Sequence, residues 1–378
     1  MSNQSNSFIA QFPNLAECLY LNHAAIAPWP LATTQAIKAF ADENAHQGAR
    51  AYANWMQLET ACRQRFASLL NTNSDNIAFL KNTSEGLSLV AQGLQWQTGD
   101  NIVLPDCEFP SNFLPWQQLQ SQGVELRYVD IHTENPEQAL INACDTNTRL
   151  LTVSAIQYID GLRLDLAILG YFCDAENILF NVDAIQQLGM LPLDVQACKI
   201  DFLSADAHKW LLGPEGLAVF YCSPNAHDQL KPCLSGWRQM DDPFNFDRTD
   251  WTPSNSARRF EPGSPNMLGI VATHASLGVL LNNGMETVAT NIRNNTEYLY
   301  TQLNQLNGVN VHGPGEKERR TGMVNFTIEH NDANTVYKHL LQADIIAAKR
   351  GPGVRLSPHF YQTKNDLEHC INTIKTLL

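Results

Sequence analysis

A carboxylate and a lysine each stand at the end of a predicted strand. Asp183 follows the apolar run 178–182, and Lys209 follows the run 201–204. Because parallel strands of one sheet end at the same edge, we expect the two side chains to lie close together. A lysine can form a Schiff base with an aldehyde, and a carboxylate can keep a pyridine nitrogen protonated. The pair therefore suits pyridoxal phosphate.

A simpler interpretation of the same two residues is an exposed ion pair. The sequence around Lys209 argues against it, because Trp210, Leu211 and Leu212 follow directly. Lysine is rarely buried among apolar residues unless it has a partner or a task. We therefore favour the chemical role.

Seven short apolar runs alternate with helical patterns and indicate the elements that hold these residues. The predicted strands are 77–80, 101–104, 124–129, 149–156, 178–182, 201–204 and 217–221. Helices are predicted over 84–94, 111–121 and 266–282. This alternation predicts the α/β class, with a mostly parallel seven-stranded sheet sandwiched by helices.

The C-terminal third shows two more helical patterns and a short strand, 323–328. It predicts a smaller α+β domain. We assign 20–280 to a large cofactor-binding domain, and 1–19 with 281–378 to the small one.

Composition excludes several other classes. The chain has 378 residues, 44% of them apolar, and a net charge of −13. An acidic globular chain is a poor general binder of nucleic acid or of anionic membranes. The polar N-terminus does not resemble a secretory signal, and no apolar run is long enough to span a bilayer. Nine scattered cysteines without a CxxC pair fit free thiols in a reducing cytoplasm, and we expect no metal site.

Further segments carry a family resemblance. Segments 20–25 (YLNHAA), 259–266 (RFEPGSPN) and 355–363 (RLSPHFYQT), together with the strand ends at Asp183 and Lys209, resemble the class-V aminotransferase family. These are fold-type I pyridoxal-phosphate enzymes and include cysteine desulfurases, selenocysteine lyases, isopenicillin-N-epimerase-like proteins and kynureninase. The resemblance extends from about residue 20 to the C-terminus. It implies pyridoxal phosphate as cofactor and a homodimer with active sites at the interface.

The resemblance also implies roles around the cofactor ring. Lys209 would form the Schiff base and move protons, and Asp183 would pair with the pyridinium nitrogen. Gln186 would hydrogen-bond the phenolic oxygen, and Phe109 would stack on the ring. Tyr158 or the preceding Gln157 would also lie near the phenolic oxygen or the substrate.

Phosphate binding is assigned to the start of a predicted helix. Thr83 and Ser84 follow a strand there, and helix N-termini attract anions. The same residues would also suit a simple helix cap. By resemblance His208 would touch the phosphate, and Ser264 would reach the phosphate in the other subunit.

Substrate binding is assigned mainly to Arg355, whose guanidinium suits an α-carboxylate. His23 and Arg50 are further candidates. Trp210, Trp237 and Trp251 are candidate pocket-lining residues, although tryptophan is more often part of a core.

The sequence departs from cysteine desulfurases in two ways that bear on chemistry. The stretch 347–355 before the carboxylate arginine is short and contains no cysteine, so a persulfide mechanism is disfavoured. Asp206 replaces a phosphate-binding serine three residues before Lys209, and a carboxylate repels phosphate unless it is turned away or screened.

We therefore expect an enzyme that acts on a small amino acid by transamination or by C–S or C–Se β-lyase chemistry. An epimerase, a cysteine desulfurase and a catalytically silent cofactor-fold protein are the alternatives. No GxGxxG turn follows an early strand, which excludes a dinucleotide-dependent dehydrogenase.

Overall fold

A seven-stranded sheet forms the centre of the computed structural model, which describes residues 9–247, 250 and 252–378. A two-residue strand, β1 (Leu19–Tyr20), precedes it. The strands of the sheet are β2 (Ile77–Leu80), β3 (Asn101–Pro105), β4 (Glu125–Val129), β5 (Thr148–Ser154), β6 (Leu179–Asp183), β7 (Phe202–Asp206) and β8 (Ala218–Cys222). Their spatial order is β2-β8-β7-β6-β5-β3-β4. Only β8 in this sheet runs antiparallel to its neighbours, which confirms the predicted mostly parallel sheet.

Apart from the edge strand β4, whose residues are half-buried or exposed, both faces of this sheet are buried and its strands are nearly continuous apolar runs. Neighbouring residues point to opposite faces: Leu203 packs in one apolar core and Phe202 in the other. The helices of this part of the chain are α1 (Leu31–Gln47), α2 (Tyr52–Leu70), α3 (Thr83–Gly93), α4 (Leu114–Gln117), α5 (Pro136–Asn142), α6 (Leu166–Glu176) and α7 (Met267–Asn283). These elements make the α/β architecture predicted from the alternation.

The C-terminal part has its own sheet and core. Its antiparallel strands are β9 (Val309–His312), β10 (Val324–Ile328), β12 (Ala348–Arg350) and β13 (Gly353–Leu356), in the order β12-β13-β10-β9. Its helices are α8 (Met285–Asn304), α9 (Ala333–Gln342) and α10 (Lys364–Lys375), one more than the sequence patterns predicted. This α+β unit agrees with the predicted fold class.

The N-terminal segment joins the two parts. β1 pairs in parallel with β11 (Ile345–Ile346), and Leu21 lies in the core of the C-terminal unit. The exact limits given above for the two domains stay a prediction, and residues 1–8 of the smaller one lie outside the described part of the chain.

One predicted helix, 111–121, is wrong as a continuous element. The chain there forms a 3-10 turn over Pro110–Asn112, the single helical turn α4, and a second 3-10 turn over Gln118–Gln122. Pro115 has no N–H to donate, so it interrupts the hydrogen bonds of a regular helix over these residues. Phe109 lies between the end of β3 and this irregular segment.

The parallel strands end at one edge of the large sheet, and the candidate site residues follow them there. Within the described residues, no helix is both long and apolar enough to cross a membrane.

Candidate active site

A cavity of about 340 Å³ opens where the C-terminal sheet faces the carboxyl edge of the large sheet. Eight of the residues predicted from the sequence line it: Thr83, Ser84, Phe109, Tyr158, Gln186, His208, Lys209 and Arg355. They come from segments up to 272 residues apart in the chain, and the fold brings them to one place.

Lys209 lies in the turn that follows β7 and is partly buried. Burial lowers the pKa of its ammonium group to about 8, and the charge of Asp183 opposes this shift. A lysine with such a pKa has a sizeable neutral fraction near neutral pH. Its amine can therefore act as a nucleophile or accept a proton.

Asp183 is the last residue of β6 and pairs with Ser204 of β7. It lies behind the cavity lining rather than in it. Its carboxylate accepts a hydrogen bond from the backbone N–H of Ile185 at 3.0 Å. Burial raises the pKa of Asp183 to about 6, while Lys209 favours the ionised form. The carboxylate is therefore mainly charged at neutral pH.

Two aromatic rings form one wall of the cavity. The ring centres of Phe109 and Tyr158 are 5.1 Å apart in an edge-to-face arrangement. Lys209 Nζ lies 5.8 Å from the centre of the Phe109 ring. Phe109 is 42% exposed, so a flat ligand beside Lys209 has an open aromatic surface to contact.

Gln186 is tied to the protein by both ends of its amide. Its oxygen accepts a hydrogen bond from Trp210 Nε1 at 2.9 Å, and its Nε2 donates to the Ala24 carbonyl at 3.0 Å. An amide nitrogen carries two hydrogens, so one remains for a ligand. Trp210 is fully buried and supports Gln186 instead of lining the pocket. Trp237 does not line the cavity either, and Trp251 lies outside the described residues.

Arg355 is buried with most of its hydrogen-bonding capacity unused. Its Nη1 donates to the Tyr158 carbonyl, whereas Nε and Nη2 are buried and have no partner. Burial, aided by the nearby charge of Arg350, lowers the pKa of the guanidinium. A buried cation with two unsatisfied donors matches the two oxygens of a carboxylate.

The opposite end of the cavity is the N-terminus of α3. Thr83 and Ser84 are its first residues, and Asn82 caps it by accepting a hydrogen bond from the Glu85 N–H. The Ser84 hydroxyl lies 2.7 Å from that of Ser111. The first N–H groups of a helix have no partner within it, and together with the helix dipole they favour an anion.

Besides Asp183, three predicted site residues do not line this cavity. His23 is fully buried, with Nδ1 bonded to the Ser357 carbonyl and Nε2 to the Tyr361 hydroxyl. Both ring nitrogens are occupied, so this geometry argues against the predicted substrate contact. Arg50 lies on an exposed turn, also outside the lining. Ser264 lines a separate cavity of about 230 Å³.

Sequence reasoning missed three polar residues. Arg350 and Glu215 line the cavity, and Glu108 lies fully buried behind it. Arg350 ends β12, and the two-residue turn Gly351-Pro352 leads into β13. The Gly-Pro pair was the sequence signal for the position of Arg350, because a tight hairpin turn fixes which residues lie on either side of it. Nothing local in the sequence distinguishes Glu108 or Glu215.

These groups fit the cofactor that the family resemblance implies. The site offers a partly buried amine, a buried carboxylate, an open aromatic face and a helix N-terminus. Among its side chains, Arg355 retains two unpartnered donors, and Asp206 Oδ1 and His208 Nδ1 are buried without a hydrogen bond. Buried polar atoms are normally satisfied, so such a group of them around one cavity indicates a polar ligand.

Comparison with known proteins supports the same family. The family model for aminotransferase class-V matches residues 19–369. A probable cysteine desulfurase of Methanothermobacter thermautotrophicus is 30% identical over 97% of this chain and 96% of its own length. An uncharacterized aminotransferase of Bacillus subtilis, YcbU, is 27% identical over 90% of this chain and 89% of its own length.

Two solved structures share the fold over nearly the whole chain. A variant of C-DES with glycine covalently linked to its pyridoxal-phosphate cofactor has a TM-score of 0.90 and 25% identity, covering 96% of this chain and 98% of its own. The apo cysteine desulfurase of Thermococcus onnurineus has a TM-score of 0.88 and 24% identity, covering 98% and 97%. With a family match over most of its length and a site that suits the cofactor, this chain belongs to the class-V aminotransferase family and is a pyridoxal-phosphate-dependent enzyme.

Proposed function

We propose that this chain is a C–S β-lyase that cleaves a small sulfur-bearing α-amino acid. The observation that carries the proposal is one cavity that holds a partly buried lysine of lowered pKa and an Arg355 guanidinium with two unpartnered donor atoms, without a thiol in its lining. A β-elimination needs a proton acceptor and a carboxylate anchor, and it needs no sulfur nucleophile on the protein.

Each residue then has a defined task. Pyridoxal phosphate, when bound, supplies an electron sink for the charge that develops at the substrate α-carbon. Asp183 would hold the proton on the pyridine nitrogen, and Phe109 would support the ring. Arg355 would anchor the substrate carboxylate through Nε and Nη2, which fixes the direction of the α-hydrogen.

Lys209 is the proton carrier in this proposal. Its neutral amine would take the α-proton at Nζ as the C–S bond breaks and its electron pair leaves with sulfur. The resulting ammonium would then return a proton to the departing sulfur. Hydrolysis of the remaining three-carbon unit gives pyruvate and ammonia.

The cysteines argue against the persulfide route of a desulfurase. All nine lie within the described residues as free thiols, and none lines the cavity. Burial raises the thiol pKa of every one of them. The thiolate is the reactive form, so none is prepared to attack a substrate sulfur. Nine free thiols also favour a reducing cytoplasm as the location.

The proposal includes a homodimer with shared sites. Ser264 lies in a cavity with Lys81 and Glu85 and does not face Lys209 of its own chain. This position supports the proposal, because a Ser264 hydroxyl that binds the phosphate of the partner subunit must lie outside the site of its own chain.

Product analysis tests the proposed function. The purified enzyme, saturated with pyridoxal phosphate, is incubated with L-cystine or S-methyl-L-cysteine and no keto acid, and pyruvate, ammonia and released sulfur compounds are measured. We expect continuous pyruvate formation, with the visible cofactor band returning when substrate is exhausted.

Two other results would overturn the proposal. A band that stays bleached until a keto acid is added identifies an aminotransferase. Inversion at the α-carbon without pyruvate identifies an epimerase. A Lys209→Ala enzyme serves as the control for pyruvate that forms without the proton carrier.

A further inference from the structure

The phosphate end of the cavity contains an acidic residue. Asp206, the last residue of β7, lines the cavity together with Thr83 and Ser84, and its side chain is 6% exposed. Its backbone N–H donates to Thr83 Oγ1 at 3.0 Å, which holds it against the start of α3. A buried carboxylate next to a bound dianion would cost binding energy unless another group changes the charge balance.

His208 is the group in contact with that carboxylate. Its Nδ1 lies 3.0 Å from Asp206 Oδ1, at ion-pair distance but off the line of a hydrogen bond. Neither atom has another polar partner. The imidazole is 17% exposed and lines the same cavity, so its second nitrogen remains available to a ligand.

Other charges also face His208. Lys209 is its neighbour in the chain, and Arg350 and Arg355 line the cavity from the C-terminal sheet. Arg350 and Arg355 are cations, and Lys209 is one when its amine is protonated. Glu215 is an acid on the same lining, but it is solvent-exposed. Asp206 is therefore the buried carboxylate in contact with the ring, and buried charges are screened much less than exposed ones.

We propose that Asp206 is a positioning residue that orients His208 toward the cofactor phosphate. Its contact with Nδ1 holds the ring by one nitrogen and leaves the other nitrogen for the phosphate. The proposal rests on pyridoxal-phosphate binding but not on which reaction follows. In this proposal Asp206, which replaces a serine here, contributes to phosphate binding instead of opposing it.

Two possible roles of Asp206 predict opposite changes in cofactor affinity when it is replaced. If Asp206 only repels phosphate, Asp206→Asn removes a charge and tightens binding. If it positions His208, the same variant loses one contact to the phosphate, and the dissociation constant of pyridoxal phosphate rises roughly tenfold at pH 7.5. Pyridoxal, which lacks the phosphate, serves as the ligand control and should bind both proteins equally.

A double-variant cycle is the second measurement. In a His208→Gln background, Asp206→Asn should no longer weaken phosphate binding.

Glu215→Gln is the matched control, since it removes the other carboxylate from the same lining. An equal loss of affinity in Glu215→Gln would assign the effect to overall cavity charge and overturn the proposal. Tighter binding in Asp206→Asn, or an undiminished effect of Asp206→Asn in the His208→Gln background, would also overturn it. An enzyme that binds the cofactor and shows these shifts but forms no pyruvate would refute the proposed reaction alone.

Discussion

Replacing Arg355 with methionine should change activity and stability in opposite directions. Methionine keeps much of the side-chain volume and removes the charge. In the substrate-free protein the guanidinium has only one hydrogen bond, from Nη1 to the Tyr158 carbonyl, and is 1% exposed. A buried cation without a partner destabilises the fold, so its loss should stabilise the free enzyme.

The magnitudes follow from the number of unused donors. A charge-assisted hydrogen bond contributes about 1.5–3 kcal/mol, and Nε and Nη2 offer two to a carboxylate. Losing both should cost roughly 3 kcal/mol or more, which lowers kcat/KM about a hundredfold or more. The gain from removing the unpaired ion is about 1 kcal/mol or more, which should raise Tm by about 2 °C.

Steady-state pyruvate kinetics and thermal unfolding of the substrate-free enzyme measure the two effects. Arg149→Met is the matched control, because Arg149 lies at the start of β5, at the far edge of the sheet from the cavity. It should leave kcat/KM unchanged. A lower Tm with unaltered KM in Arg355→Met would refute the reasoning and make Arg355 a structural residue.

Four further outcomes are expected. Lys209→Ala should lose covalent attachment of the cofactor, so that borohydride treatment adds no cofactor mass to the denatured chain. Burial raises the pKa of Glu108 to about 7 from its ordinary value of 4.5. Between these two pH values the native state binds more protons than the unfolded state, so the stability of the fold should decrease as the pH rises from about 4.5 to 7. Over that range Tm should fall less in Glu108→Gln than in the unaltered protein. Iodoacetamide, which can reach the exposed Cys233, should leave turnover unchanged, whereas a persulfide enzyme would be inactivated. Mixed dimers can be made by refolding Lys209→Ala and Ser264→Ala chains together, and their activity should differ from the average activity of the two parent enzymes. An activity equal to that average would place Ser264 outside the partner's site.

Strands and strand-end residues were predictable because their signal is local. Asp183 and Lys209 were found from buried apolar runs, whose length and β-branched content indicate strands without any tertiary information. The helix over 111–121 was predicted wrongly, since the apolar spacing looked helical while Pro115 removed a hydrogen bond it needs.

The roles of single polar residues were less predictable. His23 has the right type and neighbourhood for a substrate contact, but Ser357 and Tyr361 occupy both of its nitrogens. These partners lie more than 330 residues away in the chain, so no local pattern indicates them. The contact between Asp206 and His208 is close in sequence, but its burial depends on α3 packing against β7.

The sequence by itself determined the sheet, the lysine and carboxylate at its edge, and the absence of a cysteine in the stretch 347–355. Apolar periodicity and residue chemistry are properties of short segments, so they are visible without a fold. Only the tertiary structure decided which donors remain unsatisfied, which thiols are buried and which charges share a cavity. Burial and desolvation arise when distant segments pack, as when β13 brings Arg355 to the turn that follows β5. The energetic cost of an unpaired charge exists only after that packing has excluded water.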